Sequence, residues 1–281
     1  MGFDASGKQT FDDIYTQPDP RAYFSALRGL EYQIPGRAKP YFAALIEEYR
    51  DELGVAVPLV LDIGSSYGNN AALLRCDLEV ADLFDRYRDT DQRDRAALVA
   101  EDRELVRTRR GAAARFTGLD ISEPALAYAL EAGFLDHAVA ADLEHGQPTA
   151  EQARVLAGTD LVISTGSLGY VGVNTLTRVV QGSDRLPWMA HFVLRMFPFD
   201  PIEERLSGLG YDTVRLPGVH KQRRFSSAEE HSRVLDTLAE VGVDPAGLES
   251  DGWLYAQLHI SGPRDSAAPR FLETFRRANL R

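Results

Sequence analysis

The chain has 281 residues, and 42 acidic side chains against 31 lysines and arginines give a formal net charge of −11 at pH 7. This balance argues against a nucleic-acid partner, whose affinity rests on cations neutralising phosphates. Arg107-Thr108-Arg109-Arg110 and Lys221-Gln222-Arg223-Arg224 are short local exceptions. With Cys76 as the single cysteine, no intrachain disulfide forms and a reducing, cytoplasmic compartment is expected; the sequence shows no long apolar segment or leader pattern, so a membrane span is not expected.

Residues 1–54 read as an N-terminal helical cap rich in aromatics: Phe11, Tyr15, Tyr23, Phe24, Tyr32, Tyr41, Phe42 and Tyr49. The spacing predicts a helix over 40–53 with Phe42, Leu45, Ile46 and Tyr49 on one face, and turns at Pro18, Pro20 and Pro35-Gly36. Packing against the core explains most of these rings. The hydroxyls of Tyr15, Tyr23 and Tyr32 favour partly wet positions.

Residues 55–281 form the second unit. Its opening run, Pro58-Leu59-Val60-Leu61-Asp62-Ile63, is apolar without alternation, as suits a parallel strand buried on both faces. It breaks into Gly64-Ser65-Ser66-Tyr67-Gly68 and continues into a helix through Ala71-Ala72-Leu73-Leu74. Such a strand-to-helix turn lies at the carboxyl edge of a doubly wound sheet, where ligands bind. An insertion from about 77 to 114 follows, with Leu83, Phe84, Tyr87, Leu98, Leu105 and Val106 at helical spacing amid dense charge. A solvated helical flap is the expectation, with a homodimer contact or an active-site lid as the alternatives.

A second strand ends in an acid at Asp120, with Ser122 and Pro124 placed to start a helix. A third spans 137–143, and a fourth from Asp160 runs into the small polar loop Ser164-Thr165-Gly166-Ser167-Leu168-Gly169-Tyr170. A fifth strand over 188–199, a helix over 202–209 and a strand over 211–216 come next. Residues 219–225 read as a basic loop. A helix over 226–241 opens with Ser226 and Glu229 at capping-box spacing, and a final strand over 253–261 closes the unit.

The four strand ends, in this order, resemble the class I S-adenosylmethionine-dependent methyltransferases over roughly residues 55–200. The resemblance implies a Rossmann-like α/β fold: a doubly wound, mostly parallel seven-stranded sheet, helices on both faces and the last strand antiparallel. It implies S-adenosylmethionine as cofactor, with Asp62, Gly64, Ser65 and Gly68 at the methionine end, Asp120 on the ribose hydroxyls and Ile121 flanking the adenine. Asp142 would take the adenine amino group with Leu143 beside it, and the backbone at Ser164 and Thr165 would meet the cofactor's amino group. Ser66 stands where the family's middle glycine is expected.

Pre-strand extensions in this family cover the cofactor, which makes Tyr15, Tyr23 and Tyr32 candidates for the substrate pocket. Arg223 is geometrically apt for a substrate carboxylate. Tyr170 could set its ring near a sulfonium or offer its hydroxyl to substrate, and Asn174 could orient an amine, although a helix start is an equal reason for Asn. The Asn/Asp-Pro-Pro-aromatic loop of amino-methylating nucleic-acid enzymes is replaced by Ser164-Thr165-Gly166-Ser167, which points to a small-molecule substrate. The six histidines show no ligand spacing, and no metal is assigned. The sequence contains no Gly-x-Gly-x-x-Gly and no Tyr-x-x-x-Lys. An intramolecular cyclase making azetidine-2-carboxylate and methylthioadenosine, and a noncatalytic cofactor-binding protein, are the alternatives.

Overall fold

The computed structural model describes residues 7–8, 12–88 and 93–264; Phe11 lies outside the described residues. The cap comprises α1 (Asp12–Tyr15), α2 (Arg21–Gly29) and α3 (Ile34–Leu53). Pro35 was expected to mark a turn, but it occupies the first turn of α3, where its missing N–H costs no intrahelical bond and its fixed φ favours initiation. Gly54, at φ 65°, ends the helix.

The order continues β1 (Leu59–Ile63), α4 (Asn69–Cys76), α5 (Val80–Arg86), α6 (Arg95–Thr108), β2 (Arg115–Asp120), α7 (Glu123–Ala132), β3 (His137–Ala140), α8 (Ala150–Ala157), β4 (Leu161–Thr165), α9 (Val173–Gly182) and β5 (Trp188–Leu194). It closes with α10 (Asp200–Gly208), β6 (Tyr211–Arg215), β7 (His220–Arg224), α11 (Ala228–Glu240) and β8 (Trp253–Pro263). The sheet order is β3-β2-β1-β4-β5-β8-β6, with β1 to β5 parallel and β8 antiparallel to its neighbours. The chain winds outward in both directions from the β1/β4 junction. That junction is the topological switch point of this Rossmann-like sheet, and its carboxyl edge opens the crevice where such folds bind ligands.

Among the described residues, eight strands fill the seven expected positions. β6 and β7 lie end to end on one edge of β8, Tyr211–Arg215 pairing with residues 263–259 and His220–Arg224 with 256–253. The segment expected as a solvated basic loop is therefore a strand. Lys221 and Arg224 lie over the Trp253 ring at 4.2 and 4.5 Å from its centroid, while Gln222 and Arg223 turn inward and are buried. The cap of α11 also moves by one residue: Ser227, not Ser226, accepts from the Glu230 amide.

One core layer lies between the sheet and α3, α4, α7 and α11, built on Phe42, Ile46, Tyr49, Trp188, Phe192 and Leu238. Another lies under α8, α9 and α10 around Val162, Leu176, Val179, Met189 and Leu206. A third joins the cap to the insertion, where Tyr23, Phe24 and Leu27 meet Leu83, Tyr87, Leu98, Val99 and Tyr128. The insertion is thus packed structure rather than a solvated flap. Burial of a leucine such as Leu98, 1% exposed, contributes about 1.5–3 kcal/mol. Polar contacts tie the same elements together: buried Asp102 accepts from the hydroxyls of Tyr87 (2.7 Å) and Tyr128 (2.6 Å) and pairs with Arg86, and Arg95 forks onto Glu131 on α7.

Candidate functional site

At the carboxyl edge of β1 the chain turns through left-handed backbone at Gly64 (φ 73°), Ser66 (φ 49°) and Gly68 (φ 76°), the last capping α4. A Cβ at Gly64 would sit 2.5 Å from that of Ser167 on the β4 loop, so this position requires glycine for close approach as well as for φ. Ser66 adopts the left-handed conformation without being glycine. Its amide donates to Asp120 Oδ2 at 2.8 Å, which links the first turn to the second.

Asp120 ends β2 and accepts from the Ser122 amide as well (2.9 Å). Burial raises its carboxyl above the usual range, opposed by these backbone bonds and one from Ile121. Ile121 itself is 76% exposed, an apolar side chain held in solvent beside the acid. Ser122 caps α7 and donates its hydroxyl to the carbonyl of Tyr15. Asp142 is exposed and closes its own turn, accepting from the amides of Glu144 (3.0 Å) and His145 (3.2 Å). The bond to the His145 ring is the chief cause that holds its carboxyl below the usual range. Leu143 is buried in the core layer under α8 and α9.

A polar network lies between β1, β4 and the cap. Asn70 donates to Asp62 Oδ1 (3.0 Å) and Thr165 Oγ1 (3.2 Å), and Asn69 donates to the hydroxyl of Tyr23 (2.8 Å). The Tyr32 hydroxyl pairs with those of Tyr23 and Thr165, and burial pushes it up to about 12. Asp62 is completely buried. Removal from water is the main cause that raises its carboxyl to about 7, with the Asn70 bond opposing and Asp120 adding to the rise. Ser164, by contrast, points its hydroxyl away from this cluster to His191 Nδ1 (2.8 Å), inside the sheet.

Of the proposed substrate residues, Tyr23 and Tyr32 are brought together. Tyr15 packs edge-on against Tyr23 with ring centroids 5.3 Å apart. Arg223 goes elsewhere: its guanidinium forks onto Glu230 at 2.9 and 2.6 Å, both side chains buried. It locks β7 to α11, and the expected contact with a substrate carboxylate would require breaking that pair. Its neighbour Gln222, 3% exposed, is the residue turned toward the site. The Gln222 amide nitrogen lies 2.3 Å from where a Cβ on Gly166 would stand, so only glycine admits it against the end of β4.

Tyr170 is 46% exposed, with Lys8 Nζ 4.7 Å from its ring centroid. Asn174 donates to the Glu144 carbonyl (3.2 Å), tethering the start of α9. Glu144 is a residue the sequence reasoning missed. Its carboxylate takes the orphan amides of Gly172 (2.8 Å) and Thr175 (3.1 Å) at that helix start, joining the loops after β3 and β4. Tyr67 was also missed. From within the glycine turn its hydroxyl reaches the carbonyls of Ile14 (3.0 Å) and Gln17 (2.8 Å), strapping α1 across the turn. No local pattern signals either contact; a tyrosine inside a glycine turn is the nearest hint.

Several buried polar atoms around the crevice have no hydrogen-bond partner among the described residues: Asp62 Oδ2, Ser65 Oγ, Ser66 Oγ, Asn70 Oδ1 and Gln222 Oε1. Leaving such groups unsatisfied costs about 1–3 kcal/mol each. Their concentration at the switch point, beside a glycine turn, two strand-end acids and an exposed isoleucine, fits a ligand that carries both hydrogen-bond donors and an apolar ring.

No family model matches the sequence, and no curated protein matches it. Among solved structures, the plantazolicin methyltransferase BpumL in complex with a monoazolic desmethylPZN analog and SAH covers 90% of this chain and 93% of its own, at 12% identity and a TM-score of 0.46. Precorrin-6y C5,15-methyltransferase from Geobacter metallireducens GS-15 covers 92% and 95%, at 11% identity and 0.39. Magnesium protoporphyrin IX methyltransferase (ChlM) from Synechocystis PCC 6803 with bound SAM covers 80% and 78%, at 13% identity and 0.38. At identities this low, residue roles in the present chain rest on its own geometry.

Proposed function

We propose that the chain is an S-adenosylmethionine-dependent methyltransferase acting on a small molecule. The observation that carries this reading is the grouping, at the switch point, of the Gly64–Gly68 turn, the two strand-end acids and the exposed Ile121. When bound, the cofactor supplies an electrophilic sulfonium methyl carbon. Asp120 binds the ribose hydroxyls, Ile121 offers an apolar face to the adenine, and the backbone from Gly64 to Gly68 takes the methionine end. Asp142 and Leu143 belong to the adenine side, and the backbone at Thr165 and Gly166 to the methionine side. Tyr23, Tyr32 and Gln222 form the polar wall contributed by the cap and β7, and α1 under its Tyr67 strap limits access of water. Alignment of the acceptor and exclusion of water are the main catalytic tasks left to such a protein.

The test is product identification. Pure protein incubated with S-adenosylmethionine and a panel of small amines, alcohols, thiols and carboxylic acids is expected to form S-adenosylhomocysteine only with an acceptor. Methylthioadenosine formed without any acceptor would replace transfer by cyclisation. Failure to bind S-adenosylhomocysteine in calorimetry would remove the cofactor reading altogether.

A further inference from the structure

β8 runs past the end of β5. Leu194, the last residue of β5, pairs with Ala256, and His220 pairs with the same Ala256 from the other side. Residues 253–255 therefore overhang the carboxyl edge, and β7 pairs with this overhang, which sets His220 level with the edge and Gln222 beyond it. Gln222 reaches back to Gly166 at the end of β4, and its carbonyl accepts from the Gln33 amide (2.8 Å), next to Tyr32, whose hydroxyl pairs with Thr165. The buried Gln222 Oε1 has no hydrogen-bond partner among the described residues. The His220 ring packs edge-on against Tyr41 (5.3 Å between centroids) and Phe192 (5.2 Å), and those two rings meet at 5.7 Å. Phe192 pairs with Thr165 in the sheet, so this triangle borders the crevice on the side away from β1 and β2.

His220 is half-buried, and its ring makes no hydrogen bond among the described residues; in contrast to His191 Nε2 and His259 Nδ1, neither of its nitrogens is buried. The titratable groups that face it, Tyr41 and Arg37, both belong to α3, while Phe192 on β5 and Ala256 on β8 carry no charge. Burial, with a smaller contribution from Arg37, holds the imidazole below its ordinary value, so it stands in the basic form at neutral pH. The cations of this region are engaged: Arg223 on Glu230, Arg37 on Gln33 Oε1 (3.0 and 2.9 Å) and Arg224 on Glu31. A carboxylate would have to break one of these contacts to find a cation, and the buried acids Asp62 and Asp120 stand on the opposite side of the crevice. What the wall offers is aromatic rings, a neutral amide, hydroxyls and a free imidazole, which suits an uncharged planar ring.

We propose that β7 is the acceptor wall of the site, that the acceptor is an uncharged hydroxyarene, and that His220 is the base that takes its proton. The acceptor oxygen forms its bond to the methyl carbon, the carbon–sulfur bond breaks with its electron pair left on sulfur, and the O–H proton passes to a ring nitrogen of His220 and from there to solvent. A phenolic hydroxyl, with a pKa of about 10, is within reach of an imidazole base, whereas an aliphatic alcohol is far too weak an acid. This inference rests on the proposed cofactor, and its test separates the two.

The experiment follows S-adenosylhomocysteine formation by the full chain at about pH 8 with naphthol, para-nitrophenol, benzyl alcohol, benzylamine and benzoate. The two hydroxyarenes should be methylated at least about tenfold faster than the other three. In His220→Gln, kcat for naphthol should fall about 100-fold or more with KM nearly unchanged, the usual contribution of a positioned base. Para-nitrophenol, largely ionised by itself at that pH, needs no base and should lose little. His220→Phe keeps the ring contacts with Tyr41 and Phe192 and should behave alike, and calorimetry with S-adenosylhomocysteine should give both variants the wild-type Kd, which shows that they fold. Failure of both hydroxyarenes to react, faster turnover of any other probe, or an equal effect of the substitutions on naphthol and para-nitrophenol would overturn the proposal and, provided S-adenosylhomocysteine binds, leave the cofactor reading standing. If S-adenosylhomocysteine does not bind the wild-type chain, both fall.

Discussion

Removing the Arg223 guanidinium tests whether this residue belongs to the architecture or to the substrate. In Arg223→Met the Glu230 carboxylate, fully buried, loses two charge-assisted bonds of 2.9 and 2.6 Å and keeps those from the Ser226 amide (2.7 Å) and hydroxyl (2.9 Å). Breaking one side of a buried pair typically costs about 3–5 kcal/mol, because the remaining charge is stranded. That is a large part of the 5–15 kcal/mol, roughly, that holds a domain folded. Replacing both partners, Arg223→Met with Glu230→Met, removes the stranded charge and should recover most of the loss. Urea unfolding followed by far-UV circular dichroism measures all three proteins, with equal slopes confirming a common transition. If the single variant lies within about 1 kcal/mol of wild type, the ion pair is not structural, and the original expectation of a substrate contact regains its standing.

Asp120→Ala should weaken S-adenosylhomocysteine binding by about 1.5–3 kcal/mol, roughly 10- to 150-fold, the usual loss of hydrogen bonds to a charged group; an unchanged Kd in calorimetry refutes the ribose assignment. Leu98→Ala should destabilise the fold by about 2–5 kcal/mol, whereas a solvated flap would tolerate it, and thermal unfolding distinguishes the two. His191, lowered by burial to about 3, and His259, lowered chiefly by burial to about 4, are neutral in the fold. Their folded values lie below the ordinary 6.5, so the unfolded chain binds more protons and stability falls as pH drops from about 6.5 toward 4. The loss approaches about 1.4 kcal/mol per pH unit per histidine, partly offset by Asp62, whose raised value works in the opposite direction. In urea unfolding at stepped pH, His191→Gln should show a shallower acid decline than wild type, and an identical slope would contradict the assignment.

Much of the scaffold was legible because its signals are local. The apolar run ending at Asp62, the glycine turn, the acid closing β2 and the Ser122–Pro124 helix start each lie within a few residues of the structure they specify. Their succession is enough to place a crevice at the carboxyl edge of β1, β2 and β4. The split of the sheet edge into β6 and β7 was less legible, since a run of cations looks like a solvated loop until Trp253, about 30 residues on, supplies the ring over which Lys221 and Arg224 lie.

What only the tertiary structure decided are the roles that depend on which way a side chain turns and what meets it from afar. A register shift between Lys221 and Arg223 breaks the alternation of β7, and so both Gln222 and Arg223 turn inward, Arg223 to pair with Glu230 and Gln222 to reach Gly166. Glu144 caps a helix 28 residues away and Tyr67 straps a segment some 50 residues earlier. The insertion, charged along its length, is held by leucines that find Tyr23 and Phe24 of the cap. The acid of Asp62 was visible in the sequence, but the upward shift of its carboxyl was not, because that shift is set by the water it loses and the charges around it, and both exist only once the chain has folded.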